Sequence, residues 1–388
     1  MSKFKKKIFF SFFFIILIIL FLEILLRIFK IEYPIFQTYD PVRGFSLLPN
    51  SSGIWRREGE GIVKINSYGL RDIEHKISKS KNTLRIAILG DSFAEARSIN
   101  IEDTFWYKLK KNLENCNNFH KGNKIEVINF GVTEYGTTQQ YLTLKNNVWE
   151  YNPDLVLLAF YSGNDISDNL KALSTKKYRP YFSFDENNSI IIDKSYLNSK
   201  PYKILSSIPG QIFIHISQYS RISQLFREAY VQMYFKRKRE EKTVSTKNIP
   251  KINNNFYNPA NSIWNEAWIV TEKIIKKMNN DVVKKNKNFI LVSLSTPEQV
   301  NPNQDEVKKF KKKNNINNLF YPEDRLKQLS KNNSIMYIPL AKKMSEIATN
   351  KNIFFHGFKN SKFGTGHWNE SGHNQASKLI SEGICSYF

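Results

Sequence analysis

The 388-residue sequence contains only two cysteines, Cys116 and Cys385. This scarcity excludes a disulfide-rich scaffold and a multi-cysteine zinc site, and it leaves open whether the two cysteines pair with each other. Acidic residues are also scarce, because 35 Asp and Glu stand against 58 Lys and Arg and leave a formal net charge of +23. Hydrophobic residues nevertheless make up 41% of the chain, which excludes a disordered protein and allows a sizeable core.

The positive charge is spread along most of the chain rather than gathered in one stripe. Lysines often stand beside asparagines, as in Lys110-Lys111-Asn112 and in the segment 311–315. This dispersion favours a generally basic, solvated surface, and we expect no nucleic-acid partner. Attraction to acidic polymers or to anionic lipid headgroups is an alternative use of the charge.

The N-terminus combines a lysine cluster with a long apolar run. Four lysines within residues 3–7 precede an uncharged run over residues 8–22, and apolar residues continue to position 29. As a helix, residues 8–29 are long enough to cross a hydrocarbon core of about 30 Å. No small-residue cleavage site follows, so we expect an uncleaved, single-pass membrane anchor. The lysines predict a cytoplasmic N-terminus and an extracytoplasmic location, periplasmic or at the cell surface, for the rest of the chain.

Short apolar segments with helical patterns between them predict an α/β protein with about five parallel strands. Strands that are buried on both faces of a parallel sheet have continuous apolar sequences of this kind. The segments are residues 84–89, 125–130, 154–160, 288–294 and 335–340.

These patterns divide the chain into three parts. Residues 1–30 hold the lysine cluster and the anchor, residues 31–80 form an arm with short strands, and residues 81–388 form the sheet domain. An insertion at about 170–260 interrupts the alternation, and it contains a predicted hairpin over 181–192 and a predicted helix over 218–238.

Side chains that can take part in catalysis follow the predicted strands, at the carboxyl ends where ligands bind in open parallel sheets. Ser92 stands in Gly90-Asp91-Ser92-Phe93, directly after the first strand and at a helix N-terminus whose field favours a developing oxyanion. No lysine follows Gly90, which excludes a phosphate-binding loop. Asn164 follows the third strand and would present its amide at the same edge. His367 precedes the last helix, which Asn369 can cap, and can therefore face Ser92.

The segments GDSF, NFGVTEYGT, SGND and HWNESGH together resemble the motifs of the SGNH hydrolase superfamily, also called GDSL esterases and lipases. The resemblance covers about residues 84–170 and 285–388. It implies a flavodoxin-like, doubly wound sheet. The anchor and the segment Asn66-Ser67-Tyr68-Gly69-Leu70-Arg71 look like a bacterial envelope branch of the superfamily, whose members often act on the acylation of exported polysaccharide.

The resemblance also implies roles for particular residues. Ser92 would be the nucleophile and His367 its general base. The Ser92 N–H, a loop N–H at Glu134 and the Asn164 amide would form the oxyanion hole. No cofactor is implied, and no metal is expected, because the spacing of the histidines at 356, 367 and 373 matches no common ligand pattern.

Two positions depart from the family pattern. Family members usually carry an aspartate three residues before the histidine, where this chain has Gly364, and Thr365 follows. An imidazole that loses its orienting carboxylate can lose about 10⁴ in rate. Glu370 and Asp165 are candidate substitutes by proximity in sequence, and a Ser–His dyad held by a backbone carbonyl is the alternative. The loop glycine of the family aligns best with Glu134, which still offers a backbone N–H.

The sequence therefore predicts a serine esterase or acyltransferase. The expected substrate is an ester-linked acyl group, in particular acetyl, on an extracytoplasmic glycan. A catalytically weak protein for binding or assembly of envelope polysaccharide is the first alternative, because the usual aspartate is missing. A phospholipase or lysophospholipase is the second, because the anchor over residues 8–29 holds the site near lipid.

The predicted topology can be tested with a reporter fused to the C-terminus. We expect a reporter that works only outside the cytoplasm to be active, because the lysine cluster retains the N-terminus inside. Activity of a cytoplasm-only reporter at the same position would contradict the predicted orientation.

Overall fold

The order of strands and helices follows the alternation that the apolar pattern predicts. The computed structural model describes residues 3–174, 176, 178–187, 189–245, 257 and 262–388. The strands are β1 (Gln37–Asp40), β2 (Gly44–Leu47), β3 (Ser52–Trp55), β4 (Gly61–Lys64), β5 (Thr83–Leu89), β6 (Lys124–Asn129), β7 (Leu155–Phe160), β8 (Tyr181–Phe184), β9 (Ile190–Asp193), β10 (Asn288–Ser293) and β11 (Met336–Pro339).

Helices connect and flank these strands, with single 3₁₀ turns at residues 101–103, 148–151 and 195–198. The α-helices are α1 (Lys3–Ile28), α2 (Ser92–Glu95), α3 (Phe105–Leu113), α4 (Asn117–His120), α5 (Thr137–Asn146), α6 (Asp165–Asp168), α7 (Lys200–Ser206), α8 (Ile208–Tyr219), α9 (Arg221–Ser245), α10 (Ser262–Val283), α11 (Gln304–Asn314), α12 (Tyr321–Asn332), α13 (Ala341–Lys351) and α14 (Glu370–Tyr387).

The central sheet has five parallel strands in the order β11-β10-β7-β5-β6. Numbered along the chain, this is the order 2-1-3-4-5 of flavodoxin-like proteins, so the predicted fold is confirmed. Both faces of the sheet are buried, as β5 illustrates. Ala87 and Leu89 point into one core, and Ile86 and Ile88 point into the other.

The arm packs against the edge of the sheet that carries Ser92. Its two antiparallel hairpins, β1–β2 and β3–β4, share an apolar cluster with Val132 and Tyr135 of the loop after β6. The segment that follows β4 is pinned by Arg71, whose guanidinium donates to the carbonyls of Ala96 at 2.5 Å and Ile99 at 2.6 Å. Since these carbonyls lie just after α2, the arm is fixed to the short helix on which Ser92 lies.

The inserted region is partly as predicted. The hairpin forms from β8 and β9, although Asn188 of its turn lies outside the described residues, as do 246–256 and 258–261 of the predicted insertion. The single helix predicted over 218–238 is wrong at its start. The helix is interrupted at Ser220, and α9 begins at Arg221. The Ser220 hydroxyl accepts a hydrogen bond from the Ser223 N–H at 3.2 Å. The two helices before the break, α7 and α8, each begin after a capping serine and were not predicted.

The N-terminal helix α1 is long and apolar enough to cross a membrane over Phe4–Ile28. Its most apolar stretch is not buried against the rest of the protein. A membrane anchor and a signal sequence near the N-terminus share this length and composition.

The two cysteines form a disulfide, which the sequence left open. Cys116 lies just before α4 and Cys385 lies in the last turn of α14, with their Cα atoms 5.7 Å apart. The bond spans a sequence separation of 269 residues and joins the C-terminal helix α14 to the start of α4.

Replacing Cys116 and Cys385 with serine should lower the free energy of unfolding by about 2–4 kcal/mol, because the open chain gains entropy when unfolded. Thermal unfolding of the wild type and the double variant, each with and without a reductant, measures the effect. The reductant should lower the Tm of the wild type only. A wild-type Tm that the reductant leaves unchanged would contradict a stabilising disulfide.

Candidate active site

Ser92 lies at the carboxyl end of β5, as the first residue of α2. The preceding residue, Asp91, caps this helix by accepting the Phe93 N–H at 2.9 Å. Gly90 permits the tight strand-to-helix turn, because a Cβ there would lie 2.8 Å from the Cβ of Ala94. The turn therefore presents the serine hydroxyl at the edge of the sheet where ligands bind.

His367 approaches Ser92 from the loop between α13 and α14. Its Nε2 lies 2.8 Å from the Ser92 Oγ, within the distance of about 3 Å that a general base requires. The loop is held by the Gly357 N–H, which donates to the His367 carbonyl at 3.0 Å, and by Asn369, which caps α14 as predicted. The sequence placed this loop directly after the last strand, whereas α13 in fact lies between them.

The other nitrogen of the His367 ring bonds to Glu58, a residue of the arm. Glu58 lies in the turn between β3 and β4, and its Oε2 is 2.5 Å from Nδ1 of His367. The second carboxylate oxygen accepts the backbone N–H of His367 at 2.7 Å. Because the carboxylate fixes the proton on Nδ1, Nε2 is left to accept the hydrogen of Ser92. Serine, histidine and glutamate thus form a continuous hydrogen-bonded chain.

Two glycines allow the Glu58 turn to dock, Gly366 against the Glu58 carboxylate and Gly59 against the Ser98 carbonyl. Gly366 has φ +72°, and a Cβ on it would lie 1.8 Å from Oε1 of Glu58. Gly59 has φ +66°, and a Cβ on it would lie 2.3 Å from the Ser98 carbonyl. Asn360 clamps this turn, since it accepts the Gly59 N–H and donates to the Gly59 carbonyl, both at 2.8 Å. The hairpin is therefore docked on the same loop that carries His367.

The pairing with Glu58 also sets the proton affinity of both groups. Burial alone would lower the pKa of His367, but the hydrogen bond and negative charge of Glu58 outweigh it and raise that pKa. Burial alone would raise the pKa of Glu58, but the hydrogen bonds and positive charge of His367 hold it below its ordinary value. The carboxylate therefore stabilises the imidazolium that forms when Ser92 gives up its proton.

The three predicted oxyanion-hole groups come from adjacent loops. Nδ2 of Asn164 donates to the Asp91 carboxylate at 3.0 Å, which holds the amide beside the Ser92 turn. Glu134 has φ +73°, the left-handed region that favours glycine, as expected for a position where the family carries one. Its side chain contacts Lys176 and Tyr178, and its backbone N–H is the group that the sequence assigns to the oxyanion hole.

The proposed substitutes for the missing aspartate are wrong. Both ring nitrogens of His367 are engaged, one by Ser92 and one by Glu58, which leaves no position for Glu370 or Asp165. Asp165 is buried and accepts the Tyr161 N–H at 2.9 Å. Glu370 lies in the first turn of α14.

Sequence reasoning missed Glu58 because it lies 309 residues from His367. The run Glu58-Gly59-Glu60-Gly61 places two acids in one turn of the arm, and nothing in it distinguishes Glu58 from Glu60 as the partner of His367.

The remaining histidines near the site serve the packing. His356 is buried with its Nδ1 donating to the Gly366 carbonyl at 2.8 Å, and burial lowers its pKa to about 3. His373 lies inside α14 and accepts the Phe105 N–H at 3.2 Å. Within the described ranges, no group of three or more His, Cys, Asp or Glu side chains is arranged to hold a metal ion.

The comparisons with known proteins give distant likenesses to solved esterase structures. No family model and no curated protein matches the sequence. Similar structures include a lipolytic protein of the G-D-S-L family from Desulfitobacterium hafniense, at 11% identity and a TM-score of 0.34, covering 77% of this chain and 98% of that one. An acetyl xylan esterase has 13% identity and a TM-score of 0.36, covering 78% and 99%. A catalytic mutant of an acetylxylan esterase from Geobacillus stearothermophilus has 10% identity and a TM-score of 0.39, covering 80% and 96%.

The Desulfitobacterium hafniense protein is described as a member of the G-D-S-L family, whose motifs the sequence resembles. Identities of 9–13% and TM-scores below 0.4 carry no argument about substrate or activity. What this chain can do must therefore be argued from its own site.

Replacing Glu58 with glutamine should lower kcat by about 10²–10⁴ while the fold is retained, because the imidazole loses the partner that orients it. The wild-type rate should fall on acidification as His367 becomes protonated, from a pH above the ordinary histidine pKa of about 6.5. In the Glu58→Gln variant this acid limb should move to lower pH, since the raising influence is gone. Rates measured from pH 4 to 9 with an activated acetyl ester test both effects.

Glu60→Gln is the matched control, because Glu60 lies in the same hairpin and contacts Arg56 at the surface. It should behave like the wild type. Equal rates and equal pH profiles for the Glu58→Gln variant and the control would exclude a role for Glu58 in orienting His367.

Proposed function

We propose that this protein is a serine esterase or acyltransferase that acts on ester-linked acyl groups, in particular acetyl, of an extracytoplasmic glycan. The observation that carries the proposal is the chain of hydrogen bonds from Glu58 through His367 to Ser92 at the carboxyl end of β5. An activated serine hydroxyl beside a base and an orienting carboxylate is the arrangement used for nucleophilic acyl transfer.

In the first half of the reaction, Oγ of Ser92 attacks the acyl carbon of the ester. Nε2 of His367 takes the hydroxyl proton, and Glu58 stabilises the resulting imidazolium. The N–H groups of Ser92 and Glu134 and the amide of Asn164 would hold the developing oxyanion. When the tetrahedral intermediate collapses, the sugar oxygen leaves with the proton from His367, and the acyl group remains on Ser92.

In the second half, an acceptor hydroxyl gives its proton to His367 and attacks the acyl-serine. Ser92 then leaves and recovers its proton from the imidazolium. Water as the acceptor makes the protein an esterase, and a sugar hydroxyl makes it an acyltransferase. The same three residues serve both outcomes, so access of the acceptor decides between them.

The extracytoplasmic location is supported by two features of the chain. A disulfide such as Cys116–Cys385 forms and persists in oxidising compartments outside the cytoplasm. The lysine cluster before the apolar helix α1 favours a single-pass anchor with the N-terminus in the cytoplasm. A basic chain of net charge +23 also suits acidic envelope polymers.

Of the two alternatives, a catalytically weak binding or assembly protein was favoured by the lack of an acidic partner for His367. Glu58 removes that reason. The phospholipase alternative rests on the nearness of α1 to lipid, and a comparison of substrates distinguishes it from the proposal.

A fluorophosphonate probe should label the wild-type protein at Ser92, and the Ser92→Ala variant should be neither labelled nor active. Ser80→Ala is the matched control, because Ser80 is exposed in the loop before β5 and should leave labelling unchanged. Mass spectrometry of the labelled peptide and hydrolysis of p-nitrophenyl acetate are the measurements. Probe incorporation that survives in the Ser92→Ala variant would refute the nucleophile assignment.

The same preparation distinguishes the substrate classes. Release of acetate from acetylated oligosaccharides should exceed release of fatty acid from lysophosphatidylcholine, and added unacetylated oligosaccharide should reveal any transfer. Faster cleavage of the lysophospholipid would replace the glycan proposal with the phospholipase alternative.

A further inference from the structure

Helix α8 exposes most of its apolar side chains on the outer side of the protein. Ile208 is 78% exposed, and Ile212 and Ile216 follow it at intervals of four residues, so that all three lie along one outward stripe. The side facing the protein holds Ser217, which is fully buried, and one apolar residue, Ile214, which is 5% exposed. A surface helix of a soluble protein normally shows the opposite arrangement.

The first turns of helix α9 also carry apolar side chains on the outward side and polar side chains on the inward side. Phe226 is 71% exposed and Tyr230 is 67% exposed on the outward side. The inward side carries Gln224 and Glu228, which are 1% and 7% exposed. The inward polar groups are paired, since Gln224 accepts the Tyr33 N–H at 2.9 Å and Glu228 contacts Arg57. Paired polar groups thus lie on the inner side of the two helices, with Ile214 beside them on α8, while most apolar side chains of the pair face outward.

The outward residues Ile208, Ile212, Phe213, Ile216, Phe226 and Tyr230, called here the outer face, adjoin the end of α1. Glu23 of α1 accepts the N–H groups of Arg221 at 2.9 Å and Ile222 at 3.1 Å, so it caps the start of α9. Arg27, one turn further along α1, donates to the Tyr219 carbonyl at the end of α8. The junction of α8 and α9 is thus bonded to the last turns of the membrane-crossing candidate.

The position of Glu23 along α1 sets the depth of this junction. A hydrocarbon core of about 30 Å takes about 20 helical residues, which counted from Ile8 end at Arg27. Glu23 lies one turn before Arg27 and is paired with it. These charges belong at the boundary between hydrocarbon and headgroups. The outer face begins where α1 leaves the bilayer.

We infer that the outer face of α8 and α9 lies in the headgroup region of the bilayer that α1 crosses, and that the protein is therefore held to the membrane by a surface as well as by its anchor. Helices with a broad apolar side lie in the membrane plane in this way. The inference rests on the anchor assignment within the proposed function, and it does not depend on the esterase activity. The occupant of the outer face is lipid, because the junction of α8 and α9 is bonded to the last turns of α1, which lipid would surround.

The test places an environment-sensitive NBD label at single introduced cysteines in the full-length protein, reconstituted in nanodiscs of phosphatidylcholine and phosphatidylglycerol. The native cysteines are joined in the disulfide and do not react with the label. Labels at Ile212→Cys and Phe226→Cys should be quenched by lipids that carry a nitroxide near the headgroup. Val283→Cys is the matched control, because Val283 is 55% exposed against 53% for Ile212, and its label should not be quenched.

A label at Leu17→Cys, in the middle of α1, is measured with lipids that carry the nitroxide deep in the acyl chain, and it separates failure of this inference from failure of the anchor. Quenching at position 17 without quenching at 212 and 226 would overturn the inference and leave the anchor intact. No quenching at position 17 would overturn both. A change in fluorescence of the labels at 212 and 226 that depends on protein concentration and not on nitroxide lipid would assign the outer face to a second copy of the chain. That result would also overturn the inference.

A charged variant provides the converse measurement. Ile212→Glu combined with Ile216→Glu should abolish quenching of the label at position 226, because two carboxylates do not enter the headgroup boundary beside hydrocarbon. Both residues are exposed, so the fold should be retained, which circular dichroism verifies. Undiminished quenching at position 226 would contradict the inference.

Discussion

The hydrogen bond between Glu58 and His367 is the interaction on which the site depends. It joins residues 309 positions apart, one in the N-terminal arm and one in the last loop of the chain. The bond requires that the arm be docked, that Asn360 hold the Gly59 turn, and that Gly366 leave room for the carboxylate. The arm is therefore part of the catalytic machinery in this proposal, and the sheet domain without it would hold only a serine and a histidine.

The arm also lies between the membrane-crossing candidate and the site. Arg57, the neighbour of Glu58, contacts Glu228 of α9, and the start of α9 is capped by Glu23 of α1. The cap at Glu23, the first turns of α9 and the contact of Glu228 with Arg57 thus connect the end of α1 to the turn that holds Glu58. This arrangement fixes the direction in which the site faces relative to the anchor, as a substrate held in the cell envelope would require.

The sequence was most informative where residues close in the chain act together. The five apolar segments predicted both ends of every strand to within one residue, because strands buried on both faces leave a continuous apolar pattern. The Gly90-to-Phe93 turn and the cap at Asn369 predicted where Ser92 and His367 would meet, and their distance agrees with that prediction. The partner of His367 could not be found in this way, because contact between the arm and the last loop is decided by tertiary packing.

The insertion shows the same limit on another scale. A helix over 218–238 follows from composition, but the break at Ser220 depends on Glu23, about 200 residues earlier, which caps the new helix start. The apolar residues of α8 would be expected in a core, yet the structure turns them outward. Which side of an amphipathic helix packs on the protein depends on what surrounds the helix, and the local sequence pattern does not specify those surroundings.

The pKa of His367, followed through its ring resonances by NMR and assigned by comparison with a His367→Asn variant, tests the central claim most directly. The account predicts a pKa above the ordinary value of about 6.5 in the wild type and a clear fall in the Glu58→Gln variant. A wild-type pKa at or below the ordinary value, or one that Glu58→Gln leaves unchanged, would contradict the claim that the arm supplies the carboxylate partner of His367.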